Sequence, residues 1–155
     1  PFNNLIDLWP TGALNIETAV IRVLLYEAGC TADPATEGST LGKGQPAATY
    51  LSDITTLAET TKTNYERKTM NAIDWAINTT PVPNRGQWTC SPLLWTPAIQ
   101  AGGSTIRGAI IFLDAASDAL RKPLMLVNNN PPFPWSAGSD LFLVAPTGGI
   151  LQLSR

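Results

Sequence analysis

The sequence predicts an all-β fold, an antiparallel β-sandwich of jelly-roll or Greek-key type with long loops. Three observations predict it. Short apolar runs rich in β-branched residues recur along the chain, separated by Gly/Pro turns. Two of them, Ile106 to Leu113 and Pro123 to Val127, flank a polar stretch and read as paired antiparallel strands. Only Arg107 interrupts the first of these, so both of its faces should be covered, which places the pair at the centre of the fold.

The elements follow in order. Residues 1–14 (PFNNLIDLWPTGAL) are too apolar for a solvated tail and form an N-terminal docking arm. Asn3 or Asn4 would cap a helical turn there, and Pro10 would end it. The arm docks on its own domain or on a neighbour. Val20 to Tyr26 reads as the first core strand, although periodicity alone leaves a helix open for so short a run. Glu27 to Ala48 is a long Gly/Pro/Thr loop. Tyr50 to Ile54 reads as one helical turn. Tyr65 to Met70 reads as a strand, with Tyr65 and Trp75 half-buried, and Thr79 to Gly86 as a loop with an Asn84-Arg85-Gly86 turn. Pro92 splits Gln87 to Thr96 into two short pieces or a bulged edge strand, with Trp88, Cys90 and Leu94 in one phase. Asn128 to Gly138, with three prolines, holds Phe133 and Trp135 in a rigid extended loop. Asp140 to Val144 and Ile150 to Leu153 read as a C-terminal hairpin about the Pro146–Gly149 turn. The sum is seven or eight strands in a single domain over residues 1–155.

Composition narrows the function. Charged residues are only 14% of the chain, against about 25% for a typical soluble domain, so part of the surface is expected to be covered by other chains. Net charge is −2 and no basic block occurs, which argues against nucleic acid as a partner. Histidine is absent, which removes Ser-His-Asp and Cys-His chemistry and His-ligated metals. Cys30 and Cys90 cannot hold zinc by themselves and read as buried free thiols. No apolar run approaches the roughly 20 residues of a membrane span, and no signal peptide is seen. A protein made in a cytoplasm is expected.

Candidate chemistry is sparse. Asp53 with Glu66, or Asp114 with Asp118, are the carboxylate pairs worth considering, and Asp114 and Asp118 read as solvated loop residues. No cofactor or metal motif appears. Trp88 and Trp95 read as core or its edge. Trp9 and Trp135, beside prolines in irregular segments, read as partner contacts, because aromatics bury a large area at small entropic cost. Phe2, Leu5 and Phe133 join them as expected contact residues.

The serial order of these pieces resembles a family of small structural proteins of tailed-bacteriophage virions. In that family an arm leads to a D-T-I-K-V-A-L-L type strand, here Glu17 to Leu25. A T-P-D-A-D-T loop follows, here Thr31 to Thr36, then W-x-D-I, here Tyr50 to Ile54. G-Y-x-R-K-x-L is matched by Asn64 to Met70, and D-V-T-W is echoed by Ser91 to Trp95. T-A-R-G-A-V-I-Y-x-D is matched by Thr105 to Asp114, and P-L-I-x-x-I by Pro123 to Val127. The G-x-F-x-I hairpin and G-I-L-x-L strand have counterparts in Ser139 to Val144 and Gly149 to Leu153. The Pro-rich loop and the stretch from Gly38 to Ala48 depart from the family pattern. The resemblance implies a non-enzymatic virion component, a capsid decoration (cement) protein. It would bind the outside of the major capsid protein shell and stabilise it as a homo-oligomer, a trimer being favoured, with no direct nucleic-acid or membrane partner. A tail, baseplate or fibre component is the alternative, and a carbohydrate-binding module using exposed tryptophan is a more remote one.

Overall fold

The structure, a computed structural model, describes residue 8 and residues 11–15, 18–33, 48–71, 74–78, 85–95, 105–128, 140–144 and 151–154. Among them lie nine strands: β1 (Ile21–Glu27), β2 (Lys68–Thr69), β3 (Asp74–Asn78), β4 (Arg85–Thr89), β5 (Leu93–Trp95), β6 (Ile106–Leu113), β7 (Lys122–Asn128), β8 (Leu141–Leu143) and β9 (Leu151–Ser154). One turn of 3-10 helix, η1 (Leu51–Asp53), precedes β2. Every strand pairing is antiparallel, and the described chain is all-β. The strands form a four-stranded sheet in the order β2-β1-β6-β7, a three-stranded sheet β3-β4-β9, and the two-stranded ribbon β5-β8.

The four-stranded sheet is covered on both faces. Side chains alternate along a strand, so Ile21, Val23 and Leu25 of β1 with Ala109 and Ile111 of β6 face one core. Trp88 of β4, Leu93 and Trp95 of β5, and Leu141 of β8 fill that core from the other side. Leu24 and Tyr26 of β1 with Ile110 and Phe112 of β6 face a second core, closed by Cys30, Ala32, Ala48, Leu51 and Ile54. Each fully buried Leu, Ile or Phe contributes about 1.5–3 kcal/mol, and β6 spends such residues on both sides. Its one exposed residue has a geometric cause. Tyr26 pairs with Gly108 but Glu27 pairs with Ile106, so the register slips by one and Arg107 is the extra residue of a β-bulge, turned to solvent. A second bulge lies in β7, where Ile111 pairs with Met125 but Phe112 with Pro123. Pro123 is tolerated because β7 is an edge of this sheet.

Two residues of the expected arm reach the first core. Leu14 is buried there and Leu8 packs against it. Leu14 N–H and the Thr11 hydroxyl both donate to the Leu8 carbonyl, at 3.0 and 3.1 Å. The remaining expected arm contacts, Phe2, Leu5 and Trp9, lie outside the described residues.

Several expectations are corrected. β8 and β9 do not form a hairpin: β8 pairs with β5, and β9 with β4. Leu141 is fully buried opposite Trp95, so the apolar side of β8 is satisfied by the core rather than by β9. β3 and β4 form an antiparallel pair, and the loop expected over Thr79 to Gly86 is overtaken at its end by β4. Arg85 and Gly86 belong to β4, not to a turn. Their segments, DWAIN and RGQWT, mix polar and apolar residues too evenly to announce a strand. The strand expected over Tyr65 to Met70 shrinks to Lys68–Thr69, because Asn64 takes a left-handed conformation and the side chains of Tyr65 and Arg67 are engaged elsewhere. Leu94 leaves the phase of Trp88: it is exposed, whereas Trp88 is buried.

Gly108 marks the tightest approach in the sheet. A Cβ there would fall under 3.0 Å from both the Val127 carbonyl oxygen and the Tyr26 hydroxyl. Gly108→Ala is expected to cost about 2–4 kcal/mol, read as a lower urea midpoint. Adding Tyr26→Phe should not restore it, since the Val127 oxygen belongs to the backbone; recovery in the double variant would contradict this packing.

Candidate functional site

Two features stand out beyond the cores: a polar cluster at one end of the four-stranded sheet, and an apolar surface on the β5-β8 ribbon.

The cluster is built from Arg67, which lies just before β2. Its Nε and Nη2 donate to both oxygens of Glu59, at 2.8 and 2.5 Å. Its Nη1 and Nη2 donate to both oxygens of Asp118, at 2.7 and 3.0 Å. The guanidinium carbon sits 5.3 Å from the centre of the Phe112 ring, a cation–π distance. Arg121 extends the set, donating to Asp114 and Asp118 at 2.8 Å each. Arg22 of β1 lies 3.7 Å from Asp114 and donates to the Arg67 carbonyl at 2.9 Å. Three arginines thus face three carboxylates, with forked geometry that a lysine cannot reproduce. Tyr65 completes it: its hydroxyl donates to Glu59 at 2.7 Å and accepts from Leu25 N–H at 3.1 Å.

Charge regulation follows from this geometry. Hydrogen bonds from Arg67, and then from Arg121, hold the Asp118 carboxyl down at about 2 against burial. Burial, reinforced by Glu59, pushes the Tyr65 phenol up. The hydrogen bonds to Glu59 and Asp118 hold the proton on Arg67. None of these groups is poised to exchange protons near neutrality. Asp114 and Asp118 do converge, but as ion-paired carboxylates on a shared arginine, which corrects their reading as solvated loop residues. Asp53 and Glu66 take separate roles. Asp53 accepts the Thr49 and Tyr50 N–H groups at 3.1 and 2.8 Å, capping η1, and Glu66 pairs with Lys68.

A smaller cluster lies in the second core. The buried Asp33 accepts from the Tyr26 hydroxyl at 3.3 Å and from Asn128 Nδ2 at 3.1 Å. Burial, then the Asp33 charge, pushes the Tyr26 phenol up. Cys30 and Cys90 carry free thiols, and burial pushes both up. Among the described residues no group of three or more Cys, Asp or Glu side chains is placed to hold a metal ion. No helix among them is long and apolar enough to cross a membrane.

The apolar surface arises from a ribbon whose strands are apolar in both phases. Leu93, Trp95 and Leu141 point inward and are buried. The other phase points out: Leu94 and Phe142 stand directly opposite each other, 37% and 52% exposed, and Val144 beyond them is 57% exposed. Pro92 and Asp140 are exposed beside them. Leu94, Phe142 and Val144 give the ribbon an apolar outer face. Of the expected contact residues, Phe2, Leu5, Trp9, Phe133 and Trp135 all lie outside the described residues. Trp88 and Trp95 are fully buried, and Trp95 Nε1 donates to the Glu66 carbonyl at 2.8 Å, so neither ring offers an exposed platform. Sequence reasoning missed both the Arg67 cluster and the ribbon face. The signal for the second was present in LLW and LFLV, which leave no polar phase for solvent.

Comparison with protein families, with curated proteins and with solved structures finds no match.

The cluster makes a pH prediction. Asp118 is held below its ordinary 3.8 in the folded chain, so the unfolded state binds its proton first as pH falls. The stability that Asp118 contributes is complete above about pH 4 and is lost between about pH 4 and 2. Urea midpoints measured across that window should fall for the natural chain, and fall less steeply for Asp118→Asn.

Proposed function

We propose that the chain is a structural protein of a tailed-phage virion. It decorates the outside of the major capsid protein shell as a homo-oligomer, a trimer being favoured, after synthesis in the host cytoplasm. The proposal includes the finer fold, a two-layered antiparallel sandwich of jelly-roll or Greek-key type in one domain, with residues 1–14 as its arm. The observation that carries it is where the family-like motifs fall. Glu17 to Leu25 leads into β1, Tyr50 to Ile54 contains η1, and Asn64 to Met70 supplies Tyr65 and Arg67. Thr105 to Asp114 supplies β6, its obligatory Gly108 and Asp114, and Pro123 to Val127 lies within β7. Pieces far apart in the sequence therefore meet on one sheet and in one polar cluster, which supports reading their serial order as one fold.

The mode of action is passive. A chain of low charge with an outward apolar ribbon is suited to burying area against a neighbour. A stable contact buries roughly 1,200–2,000 Å² in total; Leu94, Phe142 and Val144 supply an apolar centre for one, and Phe2, Leu5, Trp9, Phe133 and Trp135 are proposed to extend it. Such contacts would hold neighbouring capsomers against internal pressure without chemistry.

Purified chain mixed with phage heads that lack it should co-sediment with them. Phe142→Asp should weaken that binding by about tenfold or more while leaving the circular dichroism spectrum and Tm unchanged, since the side chain is half exposed. Binding to isolated tails but not to heads would favour the tail or baseplate alternative. Equal binding by the variant would remove the ribbon from the contact.

A further inference from the structure

The two covers of the four-stranded sheet are unlike. One is built of strands; the other joins Cys30 and Ala32 to a run of chain, residues 48–60, whose only regular piece is the three-residue η1. This run is held at its two ends, and between them Thr31 N–H donates to the Thr56 carbonyl and Thr56 N–H to the Thr31 hydroxyl, at 2.9 and 3.1 Å. At one end Leu51 and Ser52 N–H donate to the carbonyls of Arg121 and Asp118, in the turn between β6 and β7, at 2.8 and 3.1 Å. At the other it lies along β1: Glu27 N–H donates to Ala58, and Thr60 N–H to Leu25, at 2.8 and 3.1 Å, with a lone bridge between Tyr26 and Glu59. Between these points Leu51, Ile54 and Leu57 lie over the second core. One side chain joins the two attachments. Arg67 grips Glu59 at the β1 end and Asp118 at the turn, while resting over Phe112.

We propose that residues 48–60 are a strap latched by Arg67, and that the strap opens as a unit while the four-stranded sheet stays folded. The first core needs none of the strap's residues: its buried members come from β1, β4, β5, β6, β7 and β8 with Leu14 and Met70. The sheet therefore keeps one complete apolar cover when the strap lifts. Opening bares Leu24, Ile110 and Phe112, an apolar face that the closed chain hides completely. Arg67 thus controls access to a second surface, distinct from the ribbon.

Native-state hydrogen exchange on the intact chain tests this. The amides of Leu51, Ser52 and Thr60 report the strap; those of Ile110 and Ile111 report the sheet. The strap amides are expected to exchange at least about tenfold faster than the sheet amides, through a smaller opening. Ile111→Val, which faces the first core and not the strap, separates the cases. It should speed the sheet amides by roughly two- to tenfold and leave the strap amides unchanged, because the opened state still contains Ile111 in place. Arg67→Met should speed both sets by one factor, since it weakens the closed state relative to every open one. Equal acceleration of both sets by Ile111→Val, or strap amides as slow as those of β6, would overturn the proposal.

Discussion

A strand with no solvent face must be covered twice, and most of this structure answers to that demand of β6. Its ladder partners, β1 and β7, carry the same two-sided apolar pattern for part of their length. Strands that are buried on both faces normally lie between two regular layers. Here one layer is regular and the other is a strap. A strap offers few ladder hydrogen bonds of its own, so its backbone groups must find partners among turns and edges. The bonds from Leu51, Ser52 and Thr60 do this.

The Arg67 cluster is intelligible on the same ground. Partly buried charges are costly unless matched and fully hydrogen-bonded. Each carboxylate of Glu59 and Asp118 receives two bonds from one guanidinium, and Tyr65 and Arg121 occupy further lone pairs. The cluster's value is therefore positional. It fixes where the strap crosses the sheet and how the β6–β7 turn is held.

The legible part of the fold was the part governed by simple apolar pattern. The β6 run was readable residue for residue, and Pro123 to Val127 within one residue at each end, because unbroken β-branched runs bounded by turns have few other uses. The break at Pro92 was readable for the same kind of reason. Pairing was less legible. LFLV and ILQL are adjacent in sequence and separated by a turn signal, yet each belongs to a different sheet, because Leu141 and Trp95 bury one another while β9 completes the β4 edge. Polar partners were the least legible. Glu59, Arg67 and Asp118 are far apart in sequence, and nothing local distinguishes them from solvated charges; only the folding of the strap brings them together. The bulge at Arg107 turned an apparent flaw in the pattern into a feature of register.

The central claim, that this chain sits on a virion surface, meets its most direct test in immunogold labelling of intact particles with antibody raised against it. The account predicts gold spread over the head. Gold confined to the tail would move the chain to a tail or baseplate role on the same fold, and absence of label on both intact and gently opened virions would contradict the virion assignment.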